Sequence, residues 1–391
     1  MNFKFTEEQE LFREEVIAFI QAEKEKGIYE FGDNGFVHLV SREFSTQVSK
    51  KGWVGLAWPK EYGGKGMGYV NRLIMMEEMF MSGAPLGYHF IQDRQIGPGI
   101  YHFGSDYLKK EFLPKILNSD ISFCVLFSEP DAGSDVANGK TTAVDDGDNF
   151  IVNGQKVWTS NGHIAEYGWL LARTNFDPNV SRYDSFSEMV VDMKSPGLTV
   201  RPIINAVGIH SFNEVFFDDV TIPKKNLSGK LNNGFRQIMT NLDYERAGLE
   251  RLMQNYSVKE SLIDYVKTSK RNSRFLSQDS LIRDTIAKLE TEYQVIKLYI
   301  YYVASISDQG KLPNYEAAIG KSAANLFQTK LVDTATSIMG LHGLLTTDSP
   351  EALYKGSVAD SYLWSPSYTL QGGSVEILKN IIATRGLKLP R

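Results

Sequence analysis

Two short stretches of this 391-residue chain gather small hydroxyl-bearing residues, glycine and an indole in a way that could grip a flat ring system. The first is Phe127-Ser128-Glu129-Pro130-Asp131-Ala132-Gly133-Ser134-Asp135 and the second Gly154-Gln155-Lys156-Val157-Trp158-Thr159-Ser160-Asn161. Ser128, Ala132, Gly133 and Ser134 let the edge of a planar molecule approach backbone and small groups closely. Trp158 offers a flat apolar wall for its face, with Thr159 and Ser160 beside it as hydrogen-bond partners. A third stretch, Leu242-Asp243-Tyr244-Glu245-Arg246, sets a carboxylate next to a guanidinium. The plainer alternatives are a core tryptophan in a hairpin, turn glycines and a solvated helix glutamate.

Several other chemistries are excluded. Gly63-Gly64-Lys65-Gly66-Met67-Gly68 fails the dinucleotide spacing because Tyr69 stands where the last glycine should be. Lys321-Ser322 follows Gly320 like the end of a P-loop, but Tyr315 occupies the first glycine position. No Gly-x-Ser-x-Gly elbow occurs. One cysteine, Cys124, cannot form an internal disulfide, and six histidines without a Cys/His cluster give no zinc site, so no metal is expected. Lys+Arg 42 against Asp+Glu 47 leaves a net charge of -5, which argues against nucleic acid as a partner. Glu7, Glu8 and Glu10 replace any basic-then-apolar leader, and no apolar run is long enough for a membrane span. A cytoplasmic protein is expected.

The elements that must carry these stretches follow from periodicity. Thr6 and Gln9 stand at capping-box spacing ahead of Leu11, Phe12, Val16, Phe19 and Ile20 at helical intervals, so a first amphipathic helix is expected. Helical patches such as Leu73 to Met81 continue, punctuated at Trp58-Pro59, Gly63-Gly64 and Gly97-Pro98, which makes residues 1–120 a mainly α-helical domain. Residues 121–230 are strand-like: Trp169 to Ala172, Glu188 to Met193, Leu198 to Ile203 and Glu214 to Phe217. Phe150-Ile151-Val152, Asn153-Gly154 and Lys156-Val157-Trp158 read as a tight hairpin. Strands without intervening helices imply an antiparallel sandwich or barrel. In residues 231–391, Ile282, Ile286, Leu289, Tyr293, Ile296, Ile300 and Val303 mark the seam of a long helix in a bundle. The fold class is α+β, in α–β–α order.

The two blocks that carry Ser128–Ser134 and Trp158–Ser160 resemble the signature blocks of the acyl-CoA dehydrogenase family. Gly52-Trp53 through Trp58-Pro59-Lys60-Glu61-Tyr62-Gly63-Gly64, Phe216-Phe217-Asp218-Asp219-Val220-Thr221-Ile222-Pro223, and Gly372-Gly373-Ser374-Val375-Glu376-Ile377 running on to Leu389-Pro390-Arg391 resemble further family blocks in the family's order. The resemblance implies an α-helical amino-terminal domain, a middle β domain and a carboxy-terminal four-helix bundle, with FAD between the last two and a neighbouring subunit. It implies removal of the α proton of an acyl-CoA by a carboxylate and of the β hydrogen as hydride to flavin N5. The electrons pass on to an acceptor such as electron-transfer flavoprotein, and the assembly is a tetramer. Phe127, Ser128, Gly133, Ser134, Trp158, Thr159 and Ser160 take the cofactor positions, with Ser160 near flavin N5 and Ser134 also on the substrate side.

Many members of the family carry their base directly before the Gly-Thr/Ser of the last block, where this chain has Gly372. A subset places it on the bundle helix, and Glu245 matches that pattern. Gly372 is left with its backbone N–H as a donor to the thioester oxygen. Arg246 matches a family arginine near the substrate, or pairs with Glu250 four residues on. Glu376 sits at a helix start, where a carboxylate favours the dipole. Two elements that reach a neighbouring subunit's FAD depart from the family. The family has an arginine followed by Phe-Gly, where Asn272-Ser273 stands for Phe-Gly here, and a glutamine ahead of a Gly-Gly pair, where Ser337 and Leu341 stand for the glutamine and the second glycine. These losses suggest a heterotetramer with a paralogous subunit. The competing readings are a non-catalytic partner subunit and a flavin monooxygenase on the same fold.

Overall fold

A computed structural model describes residues 4–29, 39–245 and 248–390, with the backbone alone for 241–245. The amino-terminal helices are α1 (Glu7–Glu25), α2 (Arg42–Lys50), α3 (Tyr69–Met81), α4 (Gly97–Phe103) and α5 (Asp106–Leu117). The capping box forms as the sequence predicts: Gln9 N donates to Thr6 Oγ1 at 3.2 Å and Thr6 N to Gln9 Oε1 at 3.0 Å. Phe12, Val16, Phe19 and Ile20 are buried, whereas Leu11 faces solvent. The Gly97-Pro98 pair opens α4, and glycine is required there because an added Cβ would lie 1.9 Å from the Trp58 ring.

The strands are β1 (Phe123–Leu126), β2 (Thr142–Asp146), β3 (Asn149–Lys156), β4 (Tyr167–Arg173), β5 (Phe186–Asp192), β6 (Leu198–Ile204), β7 (His210–Pro223) and β8 (Leu227–Ser228). They form one sheet in the order β6-β7-β3-β2-β4-β5-β8, with β1 parallel to β4 and a single parallel pairing between β2 and β4; the other neighbours are antiparallel. Leu126, Val152, Leu170, Met189, Val191, Val215 and Val220 close its core.

The hairpin expected at Asn153-Gly154 is not there. β3 runs straight through it, with a bulge between Val152 and Gly154. The turn sits one hairpin earlier, at Gly147-Asp148 between β2 and β3, where Gly147 takes φ 68°. Gly154 is needed for close approach: its Cβ would meet Thr141 Oγ1 at 2.6 Å. A glycine that admits a neighbouring chain and one that turns a hairpin give the same local letters.

Beyond the sheet come α6 (Gly234–Glu245), α7 (Glu250–Met253), α8 (Tyr256–Thr268), a ribbon of β9 (Lys270–Arg271) and β10 (Arg274–Phe275), then α9 (Ser280–Asp308), α10 (Tyr315–Met339), α11 (Ser357–Tyr368) and α12 (Val375–Ile381). Helix α10 packs against α8, α9 and α11. On α9 the predicted seam is buried from Leu289 to Val303, while Ile282 and Ile286 are half-buried at its start. Among the described residues no helix is long and apolar enough to cross a membrane. The chain divides into two compact units, one of Val37–Gly68 and Pro85–Glu245, the other of Met1–Phe36, Tyr69–Ala84 and Arg246–Arg391.

Candidate active site

The two hydroxyl-rich blocks lie side by side. As the chain leaves β1, Ser128 O accepts a hydrogen bond from Val157 N at 2.9 Å, and Glu129 and Ala132 exchange backbone hydrogen bonds of 3.0 Å that close a tight turn. The turn delivers Gly133 and Ser134 to the surface. An added Cβ on Gly133 would meet nothing within 4 Å, so nothing in the chain itself requires glycine there. Phe127 is half-buried and packs on Leu171, Phe186 and Ile238. Beneath the turn, Lys156 Nζ lies 2.7 Å from Glu129 Oε1 and 3.2 Å from Phe127 O. Glu129 also accepts from Lys140 N at 2.5 Å and Thr141 N at 3.0 Å.

Where β3 ends, Trp158 takes a left-handed φ of 60° and is 61% exposed, touching Phe212 edge-on at 6.2 Å. A core tryptophan is thereby ruled out, and a positive φ at a bulky residue carries a strain that a purely structural turn does not need. Its neighbour Thr159 is fully buried and held twice by Asn213: Thr159 N donates to Asn213 O at 3.0 Å and Asn213 Nδ2 to Thr159 O at 3.0 Å. Thr159 Oγ1 is left buried without a hydrogen-bond partner, a state that costs about 1–3 kcal/mol unless something bound fulfils it. Ser160 is half-buried. An exposed indole, an unfulfilled hydroxyl and an exposed Gly133-Ser134 edge fit a flavin, which needs both a stacking face and polar contacts.

Glu245 ends α6, and its side chain, like Arg246 as a whole, lies outside the described residues. What holds the helix is described. Gln237 Nε2 donates to Glu188 Oε2 at 2.8 Å and to Ser228 O at 3.1 Å, and Trp169 Nε1 donates to Glu188 Oε1 at 2.7 Å. Burial without a cation pushes the Glu188 carboxyl up to about 7, against the opposing pull of Trp169 and Gln237. Gly234 at the helix start lets the backbone lie on Ser187 and Glu188, where a Cβ would stand 2.7 Å from them. From Gln237 to Glu245 the helix rises about 12 Å.

Gly372 belongs to the other unit, is exposed with φ 65°, and its carbonyl accepts from the buried Lys321 Nζ. Ser374 caps α12, accepting from Ile377 N at 3.4 Å, and Glu376's own backbone N–H and Ser374 hold the Glu376 carboxyl below its usual value. In the same unit Asn272 (φ 52°) and Ser273 (φ 64°) form a tight turn between β9 and β10. Arg271 Nη2 reaches Ile338 O at 2.9 Å, so the two segments that depart from the family pattern touch. Sequence reasoning missed Asn213, His163, His210 and Glu188, which have no motif around them. Glu129 and Lys156 stand in the two sequence blocks, but no sequence signal marks them as a pair.

The family models for acyl-CoA dehydrogenase match along the whole chain: the N-terminal domain over residues 6–120, the middle domain over 124–220 and the C-terminal domain over 232–387. Acyl-CoA dehydrogenase FadE26 of Mycobacterium tuberculosis is 30% identical over 401 residues, covering 100% of this chain and 99% of its own. Among solved structures, the ChsE4-ChsE5 complex from Mycobacterium tuberculosis superposes with a TM-score of 0.88 at 30% identity, and the Tcur3481-Tcur3483 steroid ACAD with 0.88 at 27%, each covering 100% of both chains. A glutaryl-coenzyme A dehydrogenase bound to glutaryl-CoA superposes with 0.84 at 27%, over 100% of this chain and 98% of that one. The α–β–α order, the paired blocks around Trp158 and the full-length match together make this chain a FAD-dependent enzyme of the acyl-CoA dehydrogenase family.

Proposed function

We propose that the chain catalyses α,β-dehydrogenation of an acyl-CoA thioester to the 2-enoyl-CoA, in the cytoplasm, with electron-transfer flavoprotein as the external acceptor. The observation that carries the reading is Trp158, held exposed beside the unpartnered Thr159 hydroxyl. Bound FAD supplies the hydride acceptor. In this reading Trp158 stacks on the ring system, Phe127, Ser128, Gly133 and Ser134 line its edge, and Thr159 and Ser160 hydrogen-bond to it. Glu245 removes the α proton, the Gly372 N–H donates to the thioester oxygen where charge develops, and Ser134 and Arg246 position the substrate. Domain boundaries near residues 120 and 230 are part of the same proposal.

The assembly is a tetramer containing a paralogous subunit. Support comes from the departures at Asn272-Ser273, Ser337 and Leu341, and from relatives whose structures are named as two-protein complexes. The test is to purify the chain alone and together with a co-expressed paralogue, measure flavin content, and follow bleaching by straight-chain, branched and steroid acyl-CoAs. Bleaching with formation of enoyl-CoA supports the reading. A flavin-bound protein that no acyl-CoA reduces, and that instead consumes oxygen with an added reductant, overturns it in favour of a monooxygenase.

A further inference from the structure

Asn213 carries the Thr159 peptide, and two imidazoles orient Asn213. Its Nδ2 faces the Thr159 carbonyl, which can only accept, so the amide's orientation is fixed by that contact. Its Oδ1 then accepts from His210 Nε2 at 2.8 Å, and the second Nδ2 proton faces His163 Nδ1 at 3.2 Å. His163 can accept that bond only through a bare Nδ1, with its proton on Nε2. The two rings stack with centroids 3.9 Å apart and planes 25° apart. His163 keeps an exposed edge, yet partial desolvation and then the His210 ring hold it below its usual pKa.

We propose that His163 and His210 are positioning residues for the flavin site: through Asn213 they fix the Thr159 peptide, and they do so only while His163 is neutral. This rests on the reading of Thr159 as a flavin contact. A proton on His163 Nδ1 would set N–H against N–H at the fully buried Asn213, so this contact breaks and the amide loses a partner that orients it toward Thr159 O. The proton has a route, because both rings border a cavity of about 390 Å³ that opens to solvent. The charged residues that line the same cavity are Lys194, which is exposed, and Glu166. Glu166 is engaged elsewhere, accepting from Ser122 N at 2.7 Å and Ser122 Oγ at 2.8 Å.

The experiment follows the flavin absorption band and reduction potential of the holoenzyme between about pH 5 and 8, spanning the histidine range. The expected result is a step with its midpoint below about 6.5. His163→Gln, whose amide oxygen can still accept from Asn213, should keep the high-pH spectrum and lose the step. His210→Gln, which keeps a donor for Asn213 but removes the neighbouring ring, should move the midpoint up. Asn213→Ala should weaken flavin affinity about tenfold. Nitrogen NMR of labelled histidine in the wild type should show Nδ1 of His163 unprotonated above the step. An unchanged step in His163→Gln, or a protonated Nδ1 at high pH, overturns the inference. A chain that binds no flavin under any condition overturns instead the reading on which it rests.

Discussion

Lys156 Nζ lies 2.7 Å from Glu129 Oε1 with both side chains buried, so one buried ion pair joins the two hydroxyl-rich blocks. Burial works against both charges. For Glu129 the Lys156 ammonium and the Lys140 and Thr141 contacts outweigh it and hold the carboxyl below its usual value. Lys156→Met would leave that carboxylate buried with no cation, a change worth about 3–5 kcal/mol. Denaturant unfolding should show a loss of that order, and replacing both residues by apolar ones should cost less than Lys156→Met alone. Because the Glu129 pKa is depressed on folding, its stabilising contribution is present above the ordinary carboxyl range and fades as pH falls through the folded value.

Glu188 titrates in the opposite sense. Its pKa is raised on folding from 4.5 to about 7, so its contribution to stability is full below 4.5 and is lost as pH rises through about 7. Glu188→Gln can keep an acceptor for Trp169 Nε1, and Gln237 can turn its unpartnered Oε1 to receive the new amide. Thermal melts should then show the wild type losing stability relative to Glu188→Gln between about pH 4.5 and 7, by a few kcal/mol. Parallel pH profiles for the two proteins would refute the buried-carboxyl account.

Local rules were legible in the sequence where neighbouring residues decide the outcome. Thr6 and Gln9 cap α1 because both partners lie within one turn, and the α9 seam is buried because its 3.5-residue spacing sets one face. Asn153-Gly154 misled because Thr141, thirteen residues from Gly154 along the chain and next to Asn153's strand partner Thr142, is what demands the glycine, and sequence periodicity does not contain that approach. Trp158 and Thr159 were legible as a motif, but the device that holds them was not. Asn213 lies 54 residues from Thr159 and 50 from His163, on a strand whose alternation marks it only as an inward-facing position.

Trp158→Ala should separate cofactor retention from folding. Its side chain is 61% exposed, so Trp158→Ala removes little buried area and should leave the melting temperature of the flavin-free protein nearly unchanged. Loss of the stacking face should weaken flavin retention by about 1 kcal/mol or more. Flavin content after gel filtration is the measurement, and an unchanged content and spectrum would contradict a stacking role.

Glu245→Gln keeps the shape of the side chain and removes its basicity. Acyl-CoA binding should persist while flavin reduction slows by a factor on the order of 10² or more. Stopped-flow bleaching in single turnover isolates this step from the later electron transfer. A near-normal reduction rate would place the base at another residue.

The assembly prediction follows from Arg271. Its guanidinium donates to Ile338 O at 2.9 Å, beside a turn whose Asn272 and Ser273 both take positive φ, so these residues build a compact local structure of their own. In a homomer each FAD would meet this turn and Ser337, without the family's arginine and glutamine contacts across the interface. Losing a hydrogen bond to a charged group costs roughly 1.5–3 kcal/mol, and two weakened contacts would lower cofactor affinity about a hundredfold. A paralogous subunit that retained those contacts would restore one sound flavin pocket per heterodimer. The chain expressed alone should therefore lose flavin on dilution, and co-expression with the paralogue should yield a mixed tetramer that retains it, read by native mass spectrometry and absorbance. A stable, fully flavinated and active homotetramer from this chain alone would refute the mixed assembly and leave Arg271 or Arg274 as the residue that reaches the phosphates.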